Sequence, residues 1–315
     1  MSDGIVQEDV RLRLDLAYDG ADFAGWAFQP GLRTVQGVVE EALGRALRLG
    51  GPAATVVAGR TDSGVHARAQ VAHADIPAAA WDAWEPPTAD AEPGLVRRLA
   101  SALPADVCVR RAAPAPAGFD ARFSALSRLY CYRICDRPEA RDPLTRGSVL
   151  WHRRALDTGP MSRAAATLLG EHDFAAFAKP RPGASTVRTL QRLDVLRADD
   201  GVIHLWVQAD AFCHNMVRAL AGALEAVGAG RRGEDWPAQA LAARRRDPAA
   251  TVLPAHALTL ERVDYPPDRL LAAQAVAARV FRGPADAAVP RPADAAASGP
   301  SAGLRPVLTA PRAPE

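Results

Sequence analysis

Two strand-like runs, "RTLQRLDVLRAD" and "VIHLWVQADAF", meet at Asp199-Asp200-Gly201. A short Asp/Gly link between β-branched and aliphatic runs is the strongest local signal for a hairpin. A hairpin commits its part of the chain to an antiparallel sheet, so the segments around it must supply further strands or cover a face. Residues 10–20, "VRLRLDLAYDG", alternate Leu12, Leu14 and Leu16 with polar neighbours, the period of a half-buried strand. The stretches "DVCVRRAAPAP", "SRLYCYRICD" and "HALTLERVDYP" read as further strands. Between them, Val35, Val38, Val39, Ala42, Leu43 and Ala46 fall at helical spacing behind a capping Thr34. "LVRRLASALP", "GPMSRAAATLLGEHDFAAF", "CHNMVRALAGALEAVGAG" and "DRLLAAQAVAARVF" also read as helices, with Leu168 and Leu169 on one face of the second. The grammar recurs in both halves and predicts an α+β protein: two similar halves of mixed, mainly antiparallel sheet with helices, around a central cleft. The expected boundaries are residues 1–115 for the first half, 116–267 for the second, and 268–315 for a short helix and an Ala/Pro-rich tail. That tail lacks the large apolar residues that offset ordering entropy and is expected to be disordered. Residues 77–94, rich in proline and acid, read as a loop or insertion.

Composition narrows the class. The chain has 315 residues, 49% apolar and 23% charged, enough for a substantial core. Its start, "MSDGIVQEDV", has neither the basic nor the apolar region of a secretion signal, and the apolar stretch 219–230 is short and interrupted by Glu225. A cytoplasmic protein away from membranes is the expectation. Cys131 and Cys135 read as small buried hydrophobes rather than metal ligands. Net charge is only +2, but Lys179 is the sole lysine and every other basic side chain is an arginine. Arginine is the better bidentate phosphate ligand, although GC-rich codons would produce the same bias.

The chemistry-bearing stretch is "AGRTDSGVHARAQVAH", residues 58–73. Asp62-Ser63-Gly64 is turn chemistry between the β-branched run at 55–57 and an alternating run from Ala69. Asp62 can hold that turn by bonding its own backbone, or it can present an ionised carboxylate to a cleft. A carboxylate nucleophile needs a nearby cation, which Arg60 or a distant Arg218 could supply. Asp62, His66, His73 and Asp75 match no standard metal-ligand spacing, so no metal is expected. An exposed Tyr130 would offer a stacking face to a base.

"GRTDSGVHA" closely resembles the catalytic-loop motif of the tRNA pseudouridine synthase A (TruA) family. In family order, "YDGADFAGWAFQP" with "RTVQGVVEEAL" precede that loop, and "FDARFSALSRLYCYRI", "LLGEHDFAAF", "ADAFCHNMVRALAGAL" and "LPAHALTLERVDYP" follow it. Together they span roughly residues 11–266. The resemblance implies the pseudouridine synthase fold around an RNA-binding cleft, a homodimer, and no cofactor. It implies isomerisation of uridine to pseudouridine at positions 38, 39 and 40 of the tRNA anticodon stem-loop. By position in the motifs, Asp62 matches the nucleophile and Arg218 the arginine paired with it. Tyr130 matches the tyrosine stacking on the target base, and either it or a bound water could take the C5 proton. Arg60 matches the residue that displaces the nucleotide, and Leu258 an apolar contact to the base. Ala257 stands where the family pattern has glycine, which leaves the backbone before Leu258 open. A non-catalytic tRNA-binding module would not need the carboxylate, and a metal-dependent hydrolase would need ligands that this spacing does not provide. Pseudouridine formation should therefore survive exhaustive chelation of divalent metals when monovalent salt keeps the tRNA folded; a strict requirement for stoichiometric protein-bound metal would contradict it.

Overall fold

The computed structural model describes residues 9–83, 94–181, 183–248 and 250–280. In chain order the first half contains β1 (Asp9–Tyr18), α1 (Val35–Leu47), β2 (Val56–Val57), β3 (His66–Pro77), α2 (Ala78–Asp82), α3 (Gly94–Ala102) and β4 (Val107–Pro114). There follow β5 (Ser127–Cys135), β6 (Leu150–Trp151), α4 (Thr158–Ala166), β7 (Gly170–Asp173), β8 (Val187–Arg197) and β9 (Ile203–Ala209). The chain continues through α5 (Met216–Gly228), α6 (Trp236–Ala243), β10 (Leu258–Asp264) and α7 (Leu271–Ala277). This is an α+β fold with one large mixed sheet. No helix among the described residues is long and apolar enough to cross a membrane.

The alternation in β1 does what its period requires: Leu12, Leu14 and Leu16 are all at most 1% exposed. Thr34 caps α1 by accepting from the Gly37 amide. Sheet order is β4-β1-β3-β10-β5-β9-β8-β7, with β2 beside β3 and β6 beside β5. The 199–201 turn closes β8 on β9 as an antiparallel pair, with Gly201 at a φ of 84° where a side chain would be strained. Most pairings are antiparallel, but β10 runs parallel to β3 and β6 parallel to β5. The last strand in chain order, β10, therefore lies between β3 and β5. It runs antiparallel to β5, with Leu258 opposite Tyr132 and Leu260 opposite Tyr130.

Several expectations need correction. The helix read over 159–177 stops at Ala166. Gly170 takes a φ of 102°, and the next residues pair with β8 as an edge strand. Asp173 then caps a short 3-10 turn by accepting from Ala175. Leu168 and Leu169 consequently part company, the first buried and the second exposed. The helix read from Cys213 begins only at Met216, because Asn215 is left-handed at a φ of 65°. Within the proline- and acid-rich stretch, residues 78–82 form α2, while 84–93 lie outside the described residues. α6 lies outside the helices expected from periodicity, and Pro237 in its first turn is the local signal for its start. The 268–270 turn and α7 match the short helix expected there, and the tail from 281 lies outside the described residues.

α5 is apolar almost all round, with every residue but Arg218 buried. Gly222 is where its backbone meets the loop that follows α6: a Cβ there would stand 1.9 Å from the Thr251 carbonyl oxygen. That oxygen belongs to the backbone and cannot swing aside. Gly222→Ala should lower stability by about 1–3 kcal/mol through overpacking, measured by urea unfolding, despite the higher helix propensity of alanine.

Candidate active site

The Asp62 loop is held by groups other than its own carboxylate. The Val65 amide donates to the Asp62 carbonyl at 3.1 Å, and Ser63 Oγ donates to the Phe23 carbonyl, also at 3.1 Å. From the other side, the Trp26 amide donates to the Thr61 carbonyl at 3.0 Å. Gly25 makes this approach possible: at a φ of 96°, a Cβ there would lie 2.9 Å from the Thr61 oxygen. Beneath the loop runs a buried polar chain. The Gln70 amide nitrogen donates to the Gly59 carbonyl at 2.9 Å and to the Tyr18 hydroxyl at 3.1 Å, and that hydroxyl shares a 2.8 Å hydrogen bond with Thr61 Oγ1. Burial pushes the Tyr18 phenol up to about 12. Among the described residues, the Asp62 carboxylate makes no hydrogen bond to its own loop, so turn-holding is not its task.

Arg128 on β5 anchors the stem of that loop. Its guanidinium donates to the Ala58 carbonyl through Nε at 3.2 Å and Nη2 at 2.6 Å, and also to the Arg122 and Asp210 carbonyls at 2.6 Å each. Desolvation lowers its pKa, but a guanidinium remains charged at neutral pH.

The Asp62 carboxylate, one-third exposed, meets two partners from a single segment. Arg218 Nη1 lies 4.0 Å from Oδ2, a charge contact longer than a hydrogen bond. His214 Nε2 lies 3.4 Å from Oδ1. Arg218 is fixed by donating through Nε to the Leu253 carbonyl at 2.6 Å. His214 is held at its carbonyl by the Lys179 amide at 3.0 Å.

The cleft around them has a volume of about 1540 Å³ and is lined by all five residues singled out from the sequence: Arg60, Asp62, Tyr130, Arg218 and Leu258. Arg60 is exposed and, among the described residues, has no carboxylate partner. Leu258 is buried at the head of β10. Ala257 before it ends a 3-10 turn without a positive φ, so the position does not call for glycine. Tyr130 is not the exposed aromatic expected: it is 6% exposed, with its ring edge-on to Phe212 at 5.2 Å and 90°. Burial raises its phenol well above the ordinary value and keeps it neutral. Its rim is nonetheless on the cleft wall.

The four residues weighed as metal ligands do not converge. His66 accepts from the Gly20 amide at Nδ1, and Nε2 faces the Gly147 and His256 carbonyls. His73 accepts from the Ala121 amide, and Asp75 forms a bidentate pair with Arg11 at 2.7 Å. Among the described residues, no three His, Cys, Asp or Glu side chains gather where one ion could bind. Sequence reasoning missed His214, Phe212, Tyr18, Gln70 and Arg128. His214 had one visible signal, its place four residues before Arg218; Arg128 had another, as one of two arginines in a mostly apolar strand.

Residues 164–266 match the family model described as tRNA pseudouridine synthase. The chain is 58% identical over 283 residues to tRNA pseudouridine synthase A of Streptomyces griseus, covering 90% of this chain and 97% of that protein. The protein of that name from Frankia casuarinae is 58% identical over 90% of this chain and 98% of its own. That from Mycobacterium leprae is 50% identical over 88% and 97%. The chain belongs to the tRNA pseudouridine synthase A family. A solved H/ACA ribonucleoprotein bound to a substrate RNA is a remote match, with 10% identity and a TM-score of 0.29 over 69% of this chain and 53% of that one, too slight to carry an argument.

In this family member a buried hydroxyl supports the loop from beneath. Tyr18→Phe leaves Thr61 Oγ1 without its partner and removes one acceptor from Gln70. It should cost about 1–3 kcal/mol, read as a lowered urea midpoint with an unchanged slope; an unshifted midpoint would show the chain to be dispensable.

Proposed function

We infer that this chain isomerises uridine to pseudouridine in tRNA, at positions 38, 39 and 40 of the anticodon stem-loop, with Asp62 as the nucleophile. The observation that carries the reading is the Asp62 carboxylate, set in an arginine-lined cleft between His214 and Arg218 in a chain sharing 58% identity with a tRNA pseudouridine synthase A. The reaction breaks the C1′–N1 bond, turns the uracil and rejoins it through C5. A stacked base cannot turn, so the nucleotide must leave the helix and enter the cleft. Arg60, exposed and without a carboxylate partner among the described residues, is free to contact the displaced strand. Tyr130 and Leu258, both cleft-lining, confine the detached base between apolar walls. Arg218 keeps a positive charge 4.0 Å from the carboxylate. Attack at C1′ and attack at C6 both begin from this arrangement. No organic cofactor or metal enters the scheme, and a homodimer is the assembly that the family resemblance implies.

Asp62→Asn keeps the shape of the side chain and removes its nucleophilic oxygen. It should abolish isomerisation while leaving tRNA affinity within a few-fold, since phosphate contacts elsewhere supply most of the binding. Pseudouridine mapping of tRNA from a strain lacking the gene, complemented with wild type or Asp62→Asn, reads both the positions and the requirement. Substantial modification by the Asn variant would overturn the assignment.

A further inference from the structure

Isomerising uridine is atom-neutral, yet one proton must move. When C5 has joined C1′, C5 still carries its hydrogen. That hydrogen must leave as a proton, returning its electron pair to the C5–C6 bond, while N1 gains a proton. A group in the cleft has to accept the first of these, and the cleft contains few that can. Its arginines are donors only. Burial raises Tyr130 and Cys213 above their ordinary values, leaving both neutral and weakly basic. Glu171 and Asp210 are turned toward β8, where they accept from Thr189 Oγ1 at 3.2 Å and from the Thr189 amide at 3.0 Å. Asp62 is committed to the sugar or to C6.

His214 is the imidazole among the described residues that line the cleft. Its side chain is 46% exposed, so it meets both the interior of the site and water. Nε2 stands 3.4 Å from Asp62 Oδ1. The charged group facing it is Asp62 from the loop, whose other oxygen meets Arg218 on α5, while the Lys179 backbone amide holds the His214 carbonyl. Asn215, left-handed at a φ of 65°, fixes the direction in which the chain leaves His214 for α5.

Building on the function proposed above, we propose that His214 is the catalytic base of this site: neutral Nε2 takes the C5 proton after C5 has joined C1′, and the imidazolium returns a proton to N1 or to solvent. The Asp62 carboxylate leaves its adduct before or as C5 loses its proton. Its negative charge is thus restored beside the imidazole when the imidazolium forms. An imidazole is the side chain whose unperturbed proton affinity suits this exchange near neutral pH.

The test is single-turnover conversion of a tRNA transcript carrying either ordinary or 5-deuterated uridine, by wild type, His214→Gln, His214→Ala and Asp62→Asn. His214→Gln should slow conversion by about 100-fold, leave tRNA affinity within a few-fold and increase the deuterium isotope effect, because C5 deprotonation becomes limiting. Added imidazole should partly restore His214→Ala, an outcome that a folding defect cannot give. A His214→Gln rate equal to wild type would overturn the proposal. So would a slowed rate with neither a larger isotope effect nor imidazole rescue, which would leave His214 as a support for Asp62 alone. If wild type forms no pseudouridine, or Asp62→Asn retains activity, the functional reading itself fails. If wild type is active and Asp62→Asn is dead, an unaffected His214→Gln removes this inference alone.

Discussion

The Arg128 guanidinium is the interaction on which the cleft depends. It is buried and holds three backbone carbonyls from three separate stretches: Ala58 at the stem of the Asp62 loop, Arg122 before β5, and Asp210 after β9. Burying a cation is expensive unless its donors are used, and here four hydrogen bonds use them. Desolvation still shows as a lowered pKa. The geometry explains why the cost is tolerated. Loops leaving different strands have no shared backbone ladder, so a planar, multi-donor side chain is what can register them against one another. Lysine in its place could not span the same three acceptors.

With the loop stem registered, β10 supplies the other constraint. It lies between β3, which the Asp62 loop enters, and β5, which carries Arg128 and Tyr130. Leu260 faces Tyr130 across the ladder while Leu258 faces Tyr132, so one strand sets the height of both apolar walls relative to the carboxylate. The Tyr132 hydroxyl donates to the Pro254 carbonyl at 2.9 Å, tying the approach to β10 back to β5. Arg218 joins the same system through Leu253. The distance from the Asp62 carboxylate to the apolar wall is thus set by sheet geometry as well as by the loop.

Periodicity made much of this frame legible. The 199–201 turn, the leucines of β1 and the capped start of α1 lie where local chemistry puts them. What stayed hidden was set by tertiary contact. The run after Ala166 has helical composition, but the left-handed Gly170 and the edge of β8 turn it into a strand. Tyr130 is considered from the sequence as an exposed stacking face, yet Phe212, a residue far along the chain, packs edge-on against its ring. Of the site, the family motifs brought Arg60, Asp62, Tyr130, Arg218 and Leu258 to one cleft. The Tyr18–Gln70–Thr61 chain could not be read because its hydrogen bonds cross from β1 to β3, and no spacing rule records such crossings.

The cleft's charge is also a matter of placement. A net charge of +2 gives no footprint for a polyanion. Around the site, however, the arginines divide by occupation. Arg128 and Arg218 spend their donors on backbone carbonyls, and Arg279 pairs with Asp120 at 3.1 Å while lying over Phe123. Arg60 and Arg181 line the same cleft, exposed and with no carboxylate partner among the described residues. The first set builds the walls, while the second stays at the surface of the cleft. Elsewhere the chain neutralises its arginines in pairs such as Arg11–Asp75, Arg33–Asp106 and Arg163–Glu234, each at 2.7 Å. Seven arginines against Asp62, Glu171 and Asp210 line the cleft, so a nearly neutral chain carries a locally cationic cleft, the placement of charge that attracts a polyanion.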